Sequence, residues 1–86
     1  MPEVSRFLGI IIRFYYNEHL PPHFHADYGE HQAQIAIGSH TLLRGSLPGR
    51  VLGLVQEWAE LHRAELERCW EQARRGEIPD NVAPLV

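Results

Sequence analysis

The chain has 86 residues, of which 44% are hydrophobic and 22% charged, values typical of one globular domain and not of a disordered chain. A formal net charge of −3 provides no global positive field for nucleic acid, and one cysteine excludes a scaffold of intramolecular disulfides. Since no apolar run approaches the ~20 residues of a membrane span and no signal-peptide pattern is seen, we expect a cytoplasmic protein without membrane contact.

The N-terminal half predicts β-structure. Residues 6–16 are rich in isoleucine and aromatic side chains and predict a first strand. An asparagine and two prolines in residues 17–22 predict a turn. Residues 23–28 alternate as a second strand, which places two sets of side chains on opposite faces: Phe24, Ala26 and Tyr28 on one, and His23, His25 and Asp27 on the other.

A hairpin is predicted next, because Gly29 and Glu30 suit a two-residue loop and residues 31–37 form a matching return strand. Pairing across that loop sets apolar residues against apolar ones and polar against polar. The expected pairs are Phe24 with Ile35, Ala26 with Ala33, His25 with Gln34, and Asp27 with Gln32. With a short strand at 41–44, the sequence predicts a four-stranded antiparallel meander over about residues 6–46.

The C-terminal half predicts a helix from about residue 48 to 75, since apolar side chains recur there at a mean spacing of about 3.7 residues. A break near His62 is an alternative, and residues 77–86 predict an extended tail. We therefore expect one α+β domain spanning 1–86, in which the helix packs on the sheet. The expected core comprises Ile10, Ile12, Phe14, Phe24, Ile35, Ile37, Val51, Val55, Trp58 and Leu66.

Histidines provide the clearest candidates for a functional site. His23, His25 and Asp27 share one face of a strand, and two imidazoles with a carboxylate can bind a divalent transition metal such as zinc. His19, in the preceding turn, would supply a further ligand. The structural alternative is an ordinary solvated sheet face on which Arg13 pairs with Asp27, and no fixed metal-binding motif decides between the two.

A metal-free enzyme is a further alternative, because small ribonucleases work by acid–base chemistry with the RNA 2′-hydroxyl as nucleophile. The candidate catalytic residues are then Arg13, Tyr15, His23, His25 and Asp27. The residues alone leave open whether the chain is an enzyme.

Three helical side chains have separate expectations. His62 lies on the apolar stripe and is expected in the core with a hydrogen-bonded ring, although a contact with the sheet histidines is the functional alternative. Trp70 lies about 120° around the helix from the core residue Trp58, so we expect it to be partly exposed and to contact a partner. We also expect a homodimer or a partner complex, formed through that helix face or through the first or last strand edge.

The segments PPHFH (residues 21–25) and EWAELHRAEL (residues 57–66) resemble a family of small bacterial and archaeal proteins numbered 4160 in the domain-of-unknown-function series. The motif positions present here are His19, Pro21, Pro22, His23, Phe24, His25, Trp58, His62 and Trp70. The resemblance implies a toxin–antitoxin-like two-gene module, a small partner protein encoded nearby and a nucleic-acid target. The leading hypothesis is accordingly a binding module, with a histidine-based hydrolase, ribonuclease or metal-binding protein as the rival.

Overall fold

Five antiparallel strands followed by two helices form the fold of residues 2–86, the part of the chain that the computed structural model describes. The strands pair in chain order as a meander, so the predicted α+β class and antiparallel sheet are confirmed. Their bounds are β1 Glu3–Phe7, β2 Ile10–Arg13, β3 His23–Tyr28, β4 His31–Ala36 and β5 Leu42–Gly45, followed by α1 Gly49–Leu61 and α2 Arg63–Arg74.

The single strand predicted over residues 6–16 is wrong, because a tight hairpin divides this region into β1 and β2. Leu8 and Gly9 form the hairpin loop with φ angles of 50° and 80°. Two positive φ angles give a turn whose twist matches the strands, but leucine is uncommon in that conformation. The loop therefore lacks the usual asparagine–glycine signal, and the sheet has five strands instead of four.

The hairpin of β3 and β4 is confirmed in register as well as in position. All four predicted pairs are present, from Phe24 opposite Ile35 to Asp27 opposite Gln32. Gly29 provides the positive φ angle, 57°, that the loop requires. Register and loop agree here because a shift by one residue would turn every apolar side chain towards solvent.

The helix predicted over 48–75 is interrupted at His62, so its expected continuity is wrong and the alternative break is confirmed. His62 has φ −121° and ψ 28°, outside the helical range. Its N–H still points back to the carbonyls of Trp58 and Ala59, at 3.2 and 3.3 Å. The interruption separates two helices, and α2 packs against β3.

All ten residues expected in the core are buried. Trp58 lies at the centre with no exposed surface, and its ring is 5.4 Å from Phe7 and 5.8 Å from Phe24 between centroids. Its indole N–H donates to the Ala83 carbonyl at 2.8 Å, so burial leaves no unpaired polar atom on this side chain.

Residues 77–86 have no regular secondary structure, as predicted, but they pack against the domain. The Val82 N–H donates to the Val4 carbonyl at 2.8 Å, and the Val82 side chain is buried. The tail therefore covers the outer edge of β1, whereas all four residues of β5 at the opposite edge are exposed. Within residues 2–86, no helix has both the length and the apolar character needed to cross a bilayer.

Candidate metal centre

The loop before β3 brings a carboxylate over the strand. Asn17 has φ 58°, a left-handed conformation that asparagine tolerates, and the chain reverses there. Further along, the Pro22 carbonyl accepts a hydrogen bond from the Ile37 N–H at 3.0 Å, which fixes the loop to the far end of β4. Between these two points, Glu18 lies against the side chains of His23 and His25.

Glu18, His23 and His25 form a cluster in which one potential ligand atom from each residue lies within 4.8 Å of the others. The Nε2 of His25 is hydrogen-bonded to Oε1 of Glu18, and the Nε2 of His23 lies 3.4 Å from the same oxygen. Ligand atoms around a tetrahedral zinc ion with ~2.1 Å bonds are about 3.4 Å apart. The separation of His23 Nε2 from Glu18 Oε1 matches that of two ligands on one metal ion. The His25–Glu18 pair is hydrogen-bonded instead, so His25 Nε2 would release its proton to bind a metal.

His23 is held in one tautomer. Its Nδ1 lies 2.8 Å from the Pro21 carbonyl oxygen, which can only accept, so Nδ1 carries a proton and donates. In the neutral ring, Nε2 then has a free lone pair, and this atom is buried without a hydrogen-bond partner. The Glu18 oxygen at 3.4 Å is within ion-pair range but is not aligned as a hydrogen bond. Two electron-rich atoms therefore face each other, an arrangement that a proton or a metal ion would stabilise.

The carboxyl group of Glu18 is ionised in this environment. Burial raises its pKa, but the hydrogen bonds and electrostatic interactions with His25 and His23 together have the larger effect. The pKa of Glu18 therefore lies below its usual value. An ionised carboxylate is the form that binds a metal ion.

Aromatic rings enclose both histidines. The ring of Trp70, from α2, is centred 5.2 Å from that of His23, and the ring of Tyr15 is 4.2 Å from that of His25. His23 is only 5% exposed, so the expectation of an open, solvated face is wrong for this residue. Trp70 is 3% exposed, so the expectation that it is partly exposed is also wrong. Both residues are buried because α2 packs against β3, with Trp70 in contact with His23.

The predicted set of His19, His23, His25 and Asp27 is not assembled as a unit. Asp27 instead accepts a hydrogen bond from Arg13 at 3.0 Å, which is the structural alternative that the sequence offered. His19 is exposed and lines a cavity beside the cluster without joining it.

His62 also lies outside the cluster. Its Nδ1 is 2.7 Å from a carboxylate oxygen of Glu65, and its ring packs 5.6 Å from that of Trp58. The ring is hydrogen-bonded, as expected, but only partly buried. The functional alternative, in which it meets the sheet histidines, is not observed.

Sequence reasoning missed Glu18. Strand periodicity places residues on faces, but it does not extend into a turn, where direction depends on the φ of Asn17 and on the prolines. The available signal was a carboxylate next to His19 in a short turn leading directly into a strand with two histidines.

Comparison with known proteins gives one match. No curated protein and no solved structure matches this chain. A family model described as a domain of unknown function, DUF4160, matches residues 9–71, a range that includes Glu18, His23, His25 and Trp70. Because this match covers most of the chain, the protein belongs to the DUF4160 family.

Proposed function

We propose that this protein binds one divalent transition metal ion, zinc being the first candidate, through the Glu18 carboxylate and the Nε2 atoms of His23 and His25. One observation carries the proposal: the Nε2 of His23 is buried, has no hydrogen-bond partner and lies 3.4 Å from the Glu18 oxygen. A buried, unpaired polar atom is costly, and a shared cation would remove that cost.

The donor set supports a catalytic or regulatory type of site. Two imidazoles and one carboxylate suit zinc and non-haem iron, and three protein ligands leave coordination positions for water or substrate. The Pro21 carbonyl that fixes the tautomer of His23 is the kind of outer partner that metal-bound histidines have. A histidine-based hydrolase is therefore consistent with the site, with Glu18 in place of Asp27.

Metal analysis of the purified protein tests this proposal. After dialysis against a chelator, titration with zinc, manganese, nickel and ferrous iron should show one bound ion per chain for at least one of them. His25→Gln and Glu18→Gln should abolish that binding, and His31→Gln, at an exposed histidine outside the cluster, should not. Absence of stoichiometric binding by the wild-type protein, or unchanged binding by both cluster variants, contradicts the proposal.

We also propose that the chain engages a small partner protein, as a component of a toxin–antitoxin-like two-gene module would. The support is the asymmetry of the sheet: the tail covers β1, but β5 is exposed, with Leu42 36% and Leu43 39% exposed. An open edge strand with apolar side chains is the usual site for addition of an extended segment from another chain. The proposed occupant is therefore a strand of the partner.

Co-expression with the neighbouring gene tests this second proposal. Leu43→Glu, on β5, should weaken co-purification of the partner, and Leu61→Glu, at an exposed leucine on α1, should not. Growth assays of each gene alone test the toxin–antitoxin expectation. An unchanged complex with Leu43→Glu would rule out the β5 edge, and light scattering that shows a dimer of this chain alone would assign the edge to a second copy.

A further inference from the structure

A row of polar side chains crosses four strands beside the candidate metal centre. Arg13 is opposite His25, His25 is opposite Gln34, and Gln34 is opposite Arg44. Residues directly opposite in an antiparallel pair project from the same face. Arg44 therefore projects on the same side as His25, two strands away, or about 10 Å between backbones.

Two cavities are each bordered by Arg44 and by residues of the cluster. Glu18 and His23 line one of about 340 Å³, and His25 lines another of about 170 Å³. Gln34 and Arg44 line both cavities. The larger cavity is thus bordered by Arg44 and two of the potential ligands, and the smaller by Arg44 and the third.

The charge of Arg44 is not neutralised there. Arg13, at the other end of the row, pairs with Asp27 at 3.0 Å. For Arg44, by contrast, residues 2–86 provide no ion pair. An unpaired guanidinium that lines the same cavity as Glu18 and His23 favours an anion, since it can form paired hydrogen bonds to two oxygens of one group.

We infer that this space binds an organic phosphate ester. One phosphate oxygen would occupy an open position on the metal ion, and others would accept hydrogen bonds from Arg44 and the Gln34 amide. The inference rests on the metal binding proposed above. A phosphate has enough oxygens for both sides of the site, and the larger cavity also has Leu20 and Leu43 on its wall, where the organic group of the ester would pack.

Calorimetric titration of the zinc-loaded protein with four probes tests the ligand class. Adenosine monophosphate should bind most tightly, inorganic phosphate more weakly, and adenosine and acetate without detectable saturation. Binding of adenosine as tight as that of its monophosphate would show that the phosphate is not the recognised group. Acetate binding as tight as phosphate would assign the site to carboxylates. Either result overturns the inference.

Arg44→Gln tests the geometry. This variant should bind zinc with wild-type stoichiometry and lose roughly tenfold to a hundredfold in affinity for adenosine monophosphate, the usual effect of losing a charged hydrogen bond. Arg50→Gln, at an exposed arginine at the start of α1, is the matched control and should behave as wild type. Phosphate affinity that Arg44→Gln leaves unchanged, with zinc bound, overturns this inference alone. A wild-type protein that binds no zinc overturns the metal proposal as well.

Discussion

The carboxylates at the two ends of β3 have different kinds of partner. At one end, Asp27 pairs with Arg13, so a full negative charge meets a full positive one. At the other, Glu18 is approached by His23 and His25, which are neutral unless they take up a proton. The first end pairs two full charges, and at the second the proposed metal ion would supply the positive charge. The function of a polar residue in a predicted site therefore depends on which side chains pair with it in the fold.

The largest expected effect comes from removing the core side chain that packs against Phe24 of β3. Trp58→Ala should cost ~3–5 kcal/mol, because a large aromatic with no exposed surface leaves a cavity that its neighbours cannot fill. A domain of this size has a total stability of about 5–10 kcal/mol, so this variant should be largely unfolded at moderate urea concentrations. Urea titration followed by circular dichroism measures the change. A cooperative transition with an unshifted midpoint would mean that β3 does not depend on this ring.

Zinc should separate the two ends directly. At a free zinc concentration of 100 times its dissociation constant, a ligand that binds only the native state stabilises it by about 2.7 kcal/mol. Wild type should gain this stability, and Glu18→Gln should not. Asp27→Asn is the matched control: it should lose about 1–3 kcal/mol with the partly buried ion pair to Arg13, and still respond to zinc. Thermal unfolding with and without zinc measures the stability of each variant and its response to zinc. Loss of the zinc response in Asp27→Asn would contradict a metal site at Glu18.

The two histidines of the cluster should differ in stability. His23→Gln removes a buried ring that donates to the Pro21 carbonyl, so we expect a cost of ~1–3 kcal/mol in metal-free protein. His25→Gln should cost less, ~1 kcal/mol, because the glutamine amide can still donate a hydrogen bond to Glu18. Chemical denaturation in the presence of a chelator measures both. Equal costs would show that the hydrogen bond to Pro21 contributes little.

These expectations differ from those that the sequence alone allowed, and the reasons are local. Periodicity was sufficient for the β3–β4 register and for the core, because burial on one face constrains every second residue of a strand. It was not sufficient where a conformation depends on one unusual residue. Leu8 adopts a positive φ angle without the usual turn sequence, and Asn17 directs Glu18 towards β3. The break at His62 has no proline or glycine to signal it, and the contact of Trp70 with His23 lies on the helix that follows it.

The smallest effect concerns Cys69, which adjoins Trp70 on α2 and reports whether that helix stays packed against β3. Burial, and to a lesser degree the nearby charge of Asp80, raises the pKa of the Cys69 thiol from 9.0 to about 11. Because the folded state favours the neutral thiol, this contribution to stability is complete below pH 9 and is lost as the pH rises towards 11.

Alkylation by iodoacetamide tests this, since only the thiolate reacts. At pH 8, native protein should react far more slowly than protein unfolded in urea. The native rate should continue to increase above pH 9, where an ordinary cysteine is already largely ionised. The Cys69 side chain is 1% exposed, so access and ionisation limit the rate together. Trp70→Phe should leave the native rate nearly unchanged if α2 remains in place. Rapid alkylation of the wild-type protein at pH 8 would instead indicate that α2 separates from β3, and the enclosure of His23 would then be transient.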